Sequence, residues 1–198
     1  MSRDDRVIVG FQGIAGSHSE RAAIDLLGRV AVERYRLEPC VTAAEVVSRL
    51  RDGRIHRGVL ALRNVVGGEV LETLEATRGV SLREIVRAAL PIVHCLYARV
   101  ACDLSEVVAL HSHEQAFRQC RETLVRLCPR AALVAADDTA LAARHLAEGR
   151  YPVGSAVVCS RAAGEQFALC LLREGIQDRA DNLTEFALVE LSASITPT

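Results

Sequence analysis

The strongest constraint on the fold is a regular alternation of short apolar runs with longer amphipathic stretches. β-rich runs and helical stretches follow one another in pairs at 7–11 and 19–34, 35–40 and 43–52, and 58–62 and 68–78. This alternation is typical of βαβ units, in which strands run parallel and helices cover the sheet. The first half of the chain is therefore predicted to form one α/β unit.

The same alternation resumes later, with strands at 107–110 and 132–135 and helices at 114–127 and 139–149. Between the two units, extended segments at 81–90 and 92–100 carry the chain across, and a final β-run at 186–191 brings it back. We predict an α/β fold of two βαβ-type lobes with a central cleft. Lobe 1 comprises 1–94 plus 180–198, and lobe 2 comprises 95–179. Strand ends and helix starts in such a cleft are the usual ligand site.

Composition excludes several classes of function. A chain of 198 residues that is 50% hydrophobic can bury a sizeable core. Its net charge of −1 and the absence of Trp argue against nucleic acid as a partner. It has no apolar run of membrane-spanning length and no signal-peptide pattern, so we expect no membrane partner and a cytoplasmic location.

Seven cysteines make an odd count without any Cys-x-x-Cys pair, a pattern that favours reduced and mostly buried thiols. The six histidines are not grouped with cysteines at metal-ligand spacing. We therefore expect neither a metal nor another cofactor.

Two helix starts carry candidate binding groups. In the first, glycines at 13 and 16 allow a tight strand-to-helix turn, and Ser17 and Ser19 lie beside free backbone N–H groups. In the second, Ser112, His113 and Gln115 follow a predicted strand. Both places suit a carboxylate ligand, although each is also compatible with an ordinary helix cap.

Two further segments, 58–64 and 181–186, together with both helix starts, resemble the signature loops of the prephenate dehydratase family. The similarity extends from about residue 7 to 191 and implies a fold similar to type II periplasmic binding proteins. In the family a Thr-Arg-Phe triplet is tied to loss of the ring hydroxyl, and Thr184 stands at the Thr position. Asn182 and Phe186 also match that loop.

The resemblance fails at two charged positions. Glu185 stands where the family has Arg, and Arg63 stands where it has Glu, whereas the adjacent Asn64 matches. The family Arg would grip a substrate carboxylate, which Glu185 cannot do. The double reversal suggests an ion pair between Arg63 and Glu185 that orients Thr184 and lets Arg63 bind a carboxylate. Two independent solvent-facing substitutions are the alternative. His94, in a segment similar to a crossing strand, is expected to be structural.

The resemblance implies a lyase that acts on prephenate without a cofactor, commonly as a homodimer. Thr184 would be the catalytic group, and the other residues named above would bind substrate. Only 192–198 follow the last predicted strand, so no ACT regulatory domain is expected. Two alternatives stay open: a diverged relative that decarboxylates prephenate without dehydration, as in antibiotic-type pathways, and a non-catalytic binding protein for a small molecule.

Overall fold

The first sheet has the strand order β2-β1-β3-β11-β5, with β4 added beside β3. The computed structural model describes residues 6–192, so the outermost residues of the predicted first lobe lie outside the described part. The strands are β1 (Val7–Gln12), β2 (Tyr35–Cys40), β3 (Arg57–Asn64), β4 (Gly68–Glu69), β5 (Leu82–Pro91) and β11 (Leu183–Leu191). β1 is parallel to β2 and β3, whereas β11 lies antiparallel between β3 and β5. The chain thus returns to the first sheet at its end.

The second sheet has the order β10-β6-β9-β7-β8. Its strands are β6 (Cys95–Ala98), β7 (Ala109–Ser112), β8 (Ala132–Ala135), β9 (Ser155–Cys159) and β10 (Cys170–Glu174). β7 is parallel to β8 and β9, while β6 is antiparallel to β9 and β10. The predicted α/β class with two βαβ-type units is confirmed. Strands β9 and β10 were not among the predicted elements.

Seven α-helices cover the two sheets within residues 6–192. They are α1 (His18–Arg29), α2 (Ala43–Arg51), α3 (Leu71–Thr77), α4 (Glu114–Gln119), α5 (Arg121–Leu127), α6 (Thr139–Ala147) and α7 (Arg161–Gln166). The helix predicted at 114–127 is interrupted at Cys120, which has φ −119° and ψ 10°. The helix predicted at 19–34 ends at Arg29 because Ala31 adopts a left-handed φ of 51°. None of the helices in this part of the chain has the length and apolar character needed to cross a membrane.

Strand β11 shows how the first sheet buries both of its faces. Phe186 and Leu188 pack in one core cluster with α1, whereas Ala187 and Val189 pack in another with α2. Alternate residues of a strand point to opposite faces, so a nearly continuous apolar run is needed where helices cover both sides. Thr184, two residues before Phe186, is thereby directed to the α1 side of the sheet.

The turn before α1 contacts the second half of the chain directly. Gly16 has φ +86°, and a Cβ built on it would lie 2.8 Å from Cα of Ala163. The hydroxyl of Ser160 also donates a hydrogen bond to the Gly16 carbonyl at 2.5 Å. The close approach of the backbone at Gly16 therefore holds α1 and α7 together.

Gly16→Ala is expected to lower the free energy of unfolding by about 3 kcal/mol, because overpacking adds to the cost of a left-handed alanine. Gly53→Ala is the matched control, since Gly53 has φ +67° but no atom within 4 Å of a built Cβ. Its expected cost is about 1 kcal/mol. Urea unfolding of both variants measures the difference, and equal losses would contradict the close contact.

Candidate functional site

A cavity of about 330 Å³ lies between the two sheets. Its walls come from the ends of β1 and β3, the start of β11, the crossing segment at 92–94, and the first turns of α1, α3, α4 and α6. The predicted cleft therefore exists. Seven of the eleven predicted site residues line it: Ser17, Ser19, Asn64, His113, Gln115, Thr184 and Phe186.

Two predicted residues are buried behind the cavity wall instead of lining it. Ser112 has no exposed surface, and its hydroxyl donates to the Val158 carbonyl at 2.6 Å. It therefore ties β7 to β9 and has no part in holding a ligand. Asn182 is also buried, but its side chain joins the polar network that supports the cavity floor.

Arg63 and Glu185 also lie outside the cavity lining. They are neighbours in the β3–β11 register, yet their side chains form no ion pair within 4.0 Å among the described contacts. Glu185 lies instead 3.8 Å from Arg87 on the half-exposed surface. Strand alternation keeps both residues away from the cavity, because Thr184 faces the cavity and Glu185, the next residue, must face away together with its register partner Arg63. The predicted ion pair that orients Thr184 is wrong.

Asn64 is the group that orients Thr184. Its Oδ1 accepts hydrogen bonds from the backbone N–H groups of Val66 and Gly67 at 2.9 and 2.8 Å. These two donors fix the amide, so that Nδ2 donates to the Thr184 hydroxyl oxygen at 2.8 Å. Because that oxygen accepts from Asn64, the hydroxyl hydrogen stays available to a ligand in the cavity.

The network continues across the cleft. Asn64 Nδ2 also lies 2.9 Å from Asn182 Oδ1, and Asn182 Nδ2 donates to Gln119 Oε1 at 3.0 Å. Gln119 Oε1 is in turn 2.7 Å from Nε2 of His94. An amide oxygen has only acceptor sites, so His94 must carry its proton on Nε2. This chain of side chains connects the first sheet, the crossing segment and α4.

His94 is a neutral, buried residue beside the cavity. Burial lowers the pKa of His94 to about 3, and the nearby His18 adds to the shift. The two rings meet edge to face with centroids 5.3 Å apart. Because Nε2 carries the proton, Nδ1 presents a lone pair, and this buried atom has no hydrogen-bond partner in the protein. The expectation that His94 is a structural, hydrogen-bonded residue agrees with its contact to Gln119, although the residue lies just before β6 and not within a strand.

The low pKa of His94 predicts a loss of stability in acid. Between about pH 6 and pH 4 the unfolded chain binds a proton at this histidine and the folded chain does not. The free energy of unfolding should therefore fall by about 1.4 kcal/mol per pH unit from this group alone. His94→Gln keeps a donor to Gln119 and should reduce the slope of stability against pH by that amount. Parallel curves for the two proteins would contradict the assignment.

The start of α1 lines the cavity with Ser17, His18 and Ser19. Ser17 caps the helix, and its side chain accepts from the Glu20 N–H at 3.2 Å. The N–H groups of His18 and Ser19 make no backbone or side-chain hydrogen bond within the described structure. On the opposite wall, His113 caps α4 through Nδ1, which accepts from Gln115 N–H at 3.2 Å. The donors that suit a carboxylate are therefore concentrated at α1.

A sequence profile of the prephenate dehydratase family matches residues 9–194. The chain belongs to the prephenate dehydratase family. Arogenate dehydratase/prephenate dehydratase 2 of Arabidopsis thaliana is 32% identical over 194 residues, which are 96% of this chain and 48% of that protein. The chain thus spans about half the length of the curated relatives it matches.

Two solved structures share the fold. The prephenate dehydratase of Arthrobacter aurescens in complex with L-Phe is 30% identical, with a TM-score of 0.81 over 97% of this chain and 62% of that one. A protein described as a novel type of quorum quenching acylase is 27% identical, with a TM-score of 0.73 over 96% of this chain and 66% of that one. The family resemblance read from the loops is confirmed.

In this member of the prephenate dehydratase family, several polar cleft residues escaped sequence reasoning, among them Gln12, Glu72 and Asp138. Gln12 at the end of β1 donates from Nε2 to Glu72 at 2.6 Å, and Glu72 also accepts from the Ala43 N–H at 2.8 Å. Asp138 caps α6 by accepting from the Leu141 N–H at 2.8 Å. Burial raises the pKa of the Asp138 carboxyl. An Asp before a helical run is a recognisable signal for a helix N-cap. Whether its carboxyl also lines a cavity depends on where the other lobe packs, which the local sequence does not show.

Proposed function

We propose that this chain is a lyase that removes carbon dioxide and water from a prephenate-type substrate. Prephenate would give phenylpyruvate, and arogenate, its amino analogue, would give phenylalanine. Family membership supports the reaction type, and both substrates occur in the names of relatives. The cleft suits a compound of that size, because a cavity of about 330 Å³ falls in the range of small-molecule sites.

The observation that carries the proposal is the orientation of Thr184. Its oxygen accepts from Asn64 at 2.8 Å, which leaves the hydroxyl hydrogen to the cavity. A hydroxyl in this position donates a hydrogen bond to the departing ring hydroxyl. Such positioned donors contribute through proton transfer and through stabilisation of charge that develops in the transition state.

The bond changes of the reaction require few further groups from the protein. The bond to the ring carboxylate breaks, its electron pair forms the new ring double bond, and the carbon–oxygen bond to the hydroxyl breaks in concert. The leaving hydroxyl takes up one proton, which reaches it from solvent through Thr184, and departs as water. Aromatisation supplies the driving force, so the task of the site is to hold the ring near Thr184.

The substrate carboxylates would bind at the start of α1. The unpaired N–H groups of His18 and Ser19 point from the positive end of a 12-residue helix, and the hydroxyls of Ser17 and Ser19 line the same wall. Position 185 contributes nothing there, because it faces away from the cavity. The Glu at that position therefore does not remove a carboxylate contact from this cleft.

The decisive experiment is incubation of the purified protein with prephenate and with arogenate, followed by mass spectrometry of the products. Loss of both carbon dioxide and water supports the proposed dehydratase. Loss of carbon dioxide alone would identify a decarboxylase, and full recovery of both substrates would favour a binding protein. Thr184→Val, which lacks the hydroxyl, is the matched control for a contaminating activity.

A further inference from the structure

The turn between β3 and β4 contacts the opposite wall of the cleft at Gly67. A Cβ built on Gly67 would lie 2.2 Å from Nε2 and 3.2 Å from Cδ of Gln115 on α4. The Gln115 amide therefore occupies the space that any other side chain at position 67 would fill. Gln115 also lines the cavity, so its amide borders both the turn and the ligand space.

The turn is held by the residue that orients Thr184. Asn64 Oδ1 accepts from the N–H groups of Val66 and Gly67, and it would be 3.5 Å from the built Cβ, which is an ordinary contact. Gly67 is not among the glycines with positive φ, whereas the next residue, Gly68, has φ +75°. An alanine at position 67 can thus keep the backbone and its bond to Asn64. Its methyl group would collide with the Gln115 amide alone.

The orientation of the Gln115 amide leaves its N–H groups available. Its Oε1 lies 3.5 Å from the guanidinium of Arg118, a group that can only donate. Nε2 is the end that packs against Gly67, and it donates to no protein acceptor among the described hydrogen bonds. The Asn64 amide, in contrast, is committed to Thr184. Gln115 therefore brings uncommitted donors to the cavity wall.

The proposed substrates need such donors. Each carries two carboxylates, and the described lining contains no arginine, while the chain has no lysine at all. Neutral N–H and O–H groups must therefore hold these anions. A carboxylate has about four acceptor sites, so two of them accept more hydrogen bonds than the start of α1 can donate.

We infer that Gly67 determines how this cleft binds its substrate: the missing side chain seats the Gln115 amide, whose Nε2 donates to a substrate carboxylate from the wall opposite α1. The inference rests on the proposed lyase function and extends it to a residue that does not touch the substrate. Gly67 acts through Gln115 and is a positioning residue. A methyl group at position 67 would displace Nε2 by about 1 Å or more, because non-bonded heavy atoms pack at about 3.5 Å.

The test measures kcat and KM for prephenate and arogenate in the wild type, Gly67→Ala, Gln115→Ala and the double variant. Gly67→Ala should raise KM by at least about tenfold, the usual effect of losing a hydrogen bond to a charged group. Its kcat should change by less than about threefold, because the contact is the same in the ground state and the transition state. Gln115→Ala should raise KM equally. The double variant should show no further rise, because no amide remains to be displaced.

Gly68→Ala is the matched control. It introduces a methyl group into the same turn at a left-handed φ, but its Cβ would meet no atom within 4 Å and leaves Gln115 in place. Its KM should stay within about twofold of the wild type, since no ligand contact changes. Equal rises in KM for Gly67→Ala and Gly68→Ala would overturn the inference. So would additive effects in the double variant, or a fall in kcat of about tenfold at unchanged KM in Gly67→Ala, which would trace to the Asn64 turn.

If the wild type turns over neither substrate, the lyase function fails, and calorimetry with unreacted prephenate then tests the seat separately. Gly67→Ala and Gln115→Ala should each weaken prephenate binding by at least about tenfold, and the double variant should bind no more weakly than either. An affinity that Gly67→Ala leaves unchanged, or no binding to the wild type, would overturn the role of Gly67.

Discussion

Thr184→Val is expected to lower kcat by roughly a hundredfold or more, since the hydroxyl is the donor to the leaving group. Valine matches threonine in shape, and the Asn64 amide keeps two other acceptors, Asn182 Oδ1 and the Leu183 carbonyl. The fold should therefore persist. Steady-state kinetics on arogenate and prephenate measure the loss, and thermal unfolding measures stability.

Thr184→Ser is the matched control, because it restores the hydroxyl and removes only a methyl group. Its kcat should stay within about tenfold of the wild type. If valine and serine variants have the same activity, or if the valine variant remains fully active, Thr184 is a structural residue and the proposed mechanism fails.

Asn64→Asp should produce the second largest effect, a fall in kcat of about 30-fold or more. The new side chain still accepts from the N–H groups of Val66 and Gly67. It no longer donates to Thr184, so the Thr184 hydroxyl turns its hydrogen toward the carboxylate and away from the cleft. Loss of the donor to Asn182 should also lower the free energy of unfolding by about 1–3 kcal/mol.

A double-mutant cycle separates this effect from general damage. In the Thr184→Val background, Asn64→Asp should reduce kcat by much less than it does alone, because no hydroxyl remains to be oriented. Additive losses in kcat would show that Asn64 acts independently of Thr184.

Local sequence patterns were sufficient for most of the fold. Apolar runs such as 7–11 and helix starts such as Ser17 carry signals that depend on neighbouring residues, and the structure places both as expected. The short strand β9 was missed because burial of all five of its residues leaves no alternation to detect.

The site was harder to predict because side-chain direction depends on strand register. The reversed charges at Arg63 and Glu185 looked like a pair in the cleft, but one position along β11 separates the cavity face from the surface. Gln12 and His94 carry no sequence signal for their unpaired acceptors. Those atoms become visible only when Glu72 and Gln119 are seen to occupy the other ends of the side chains.

The most direct test is a crystal structure of Thr184→Val soaked with arogenate, since the slow variant preserves the ligand. We expect the ring hydroxyl within about 4 Å of the side chain at position 184 and a carboxylate at the start of α1. A ligand whose ring hydroxyl lies on the opposite wall, or whose carboxylates lie far from α1, would contradict this account of the cleft.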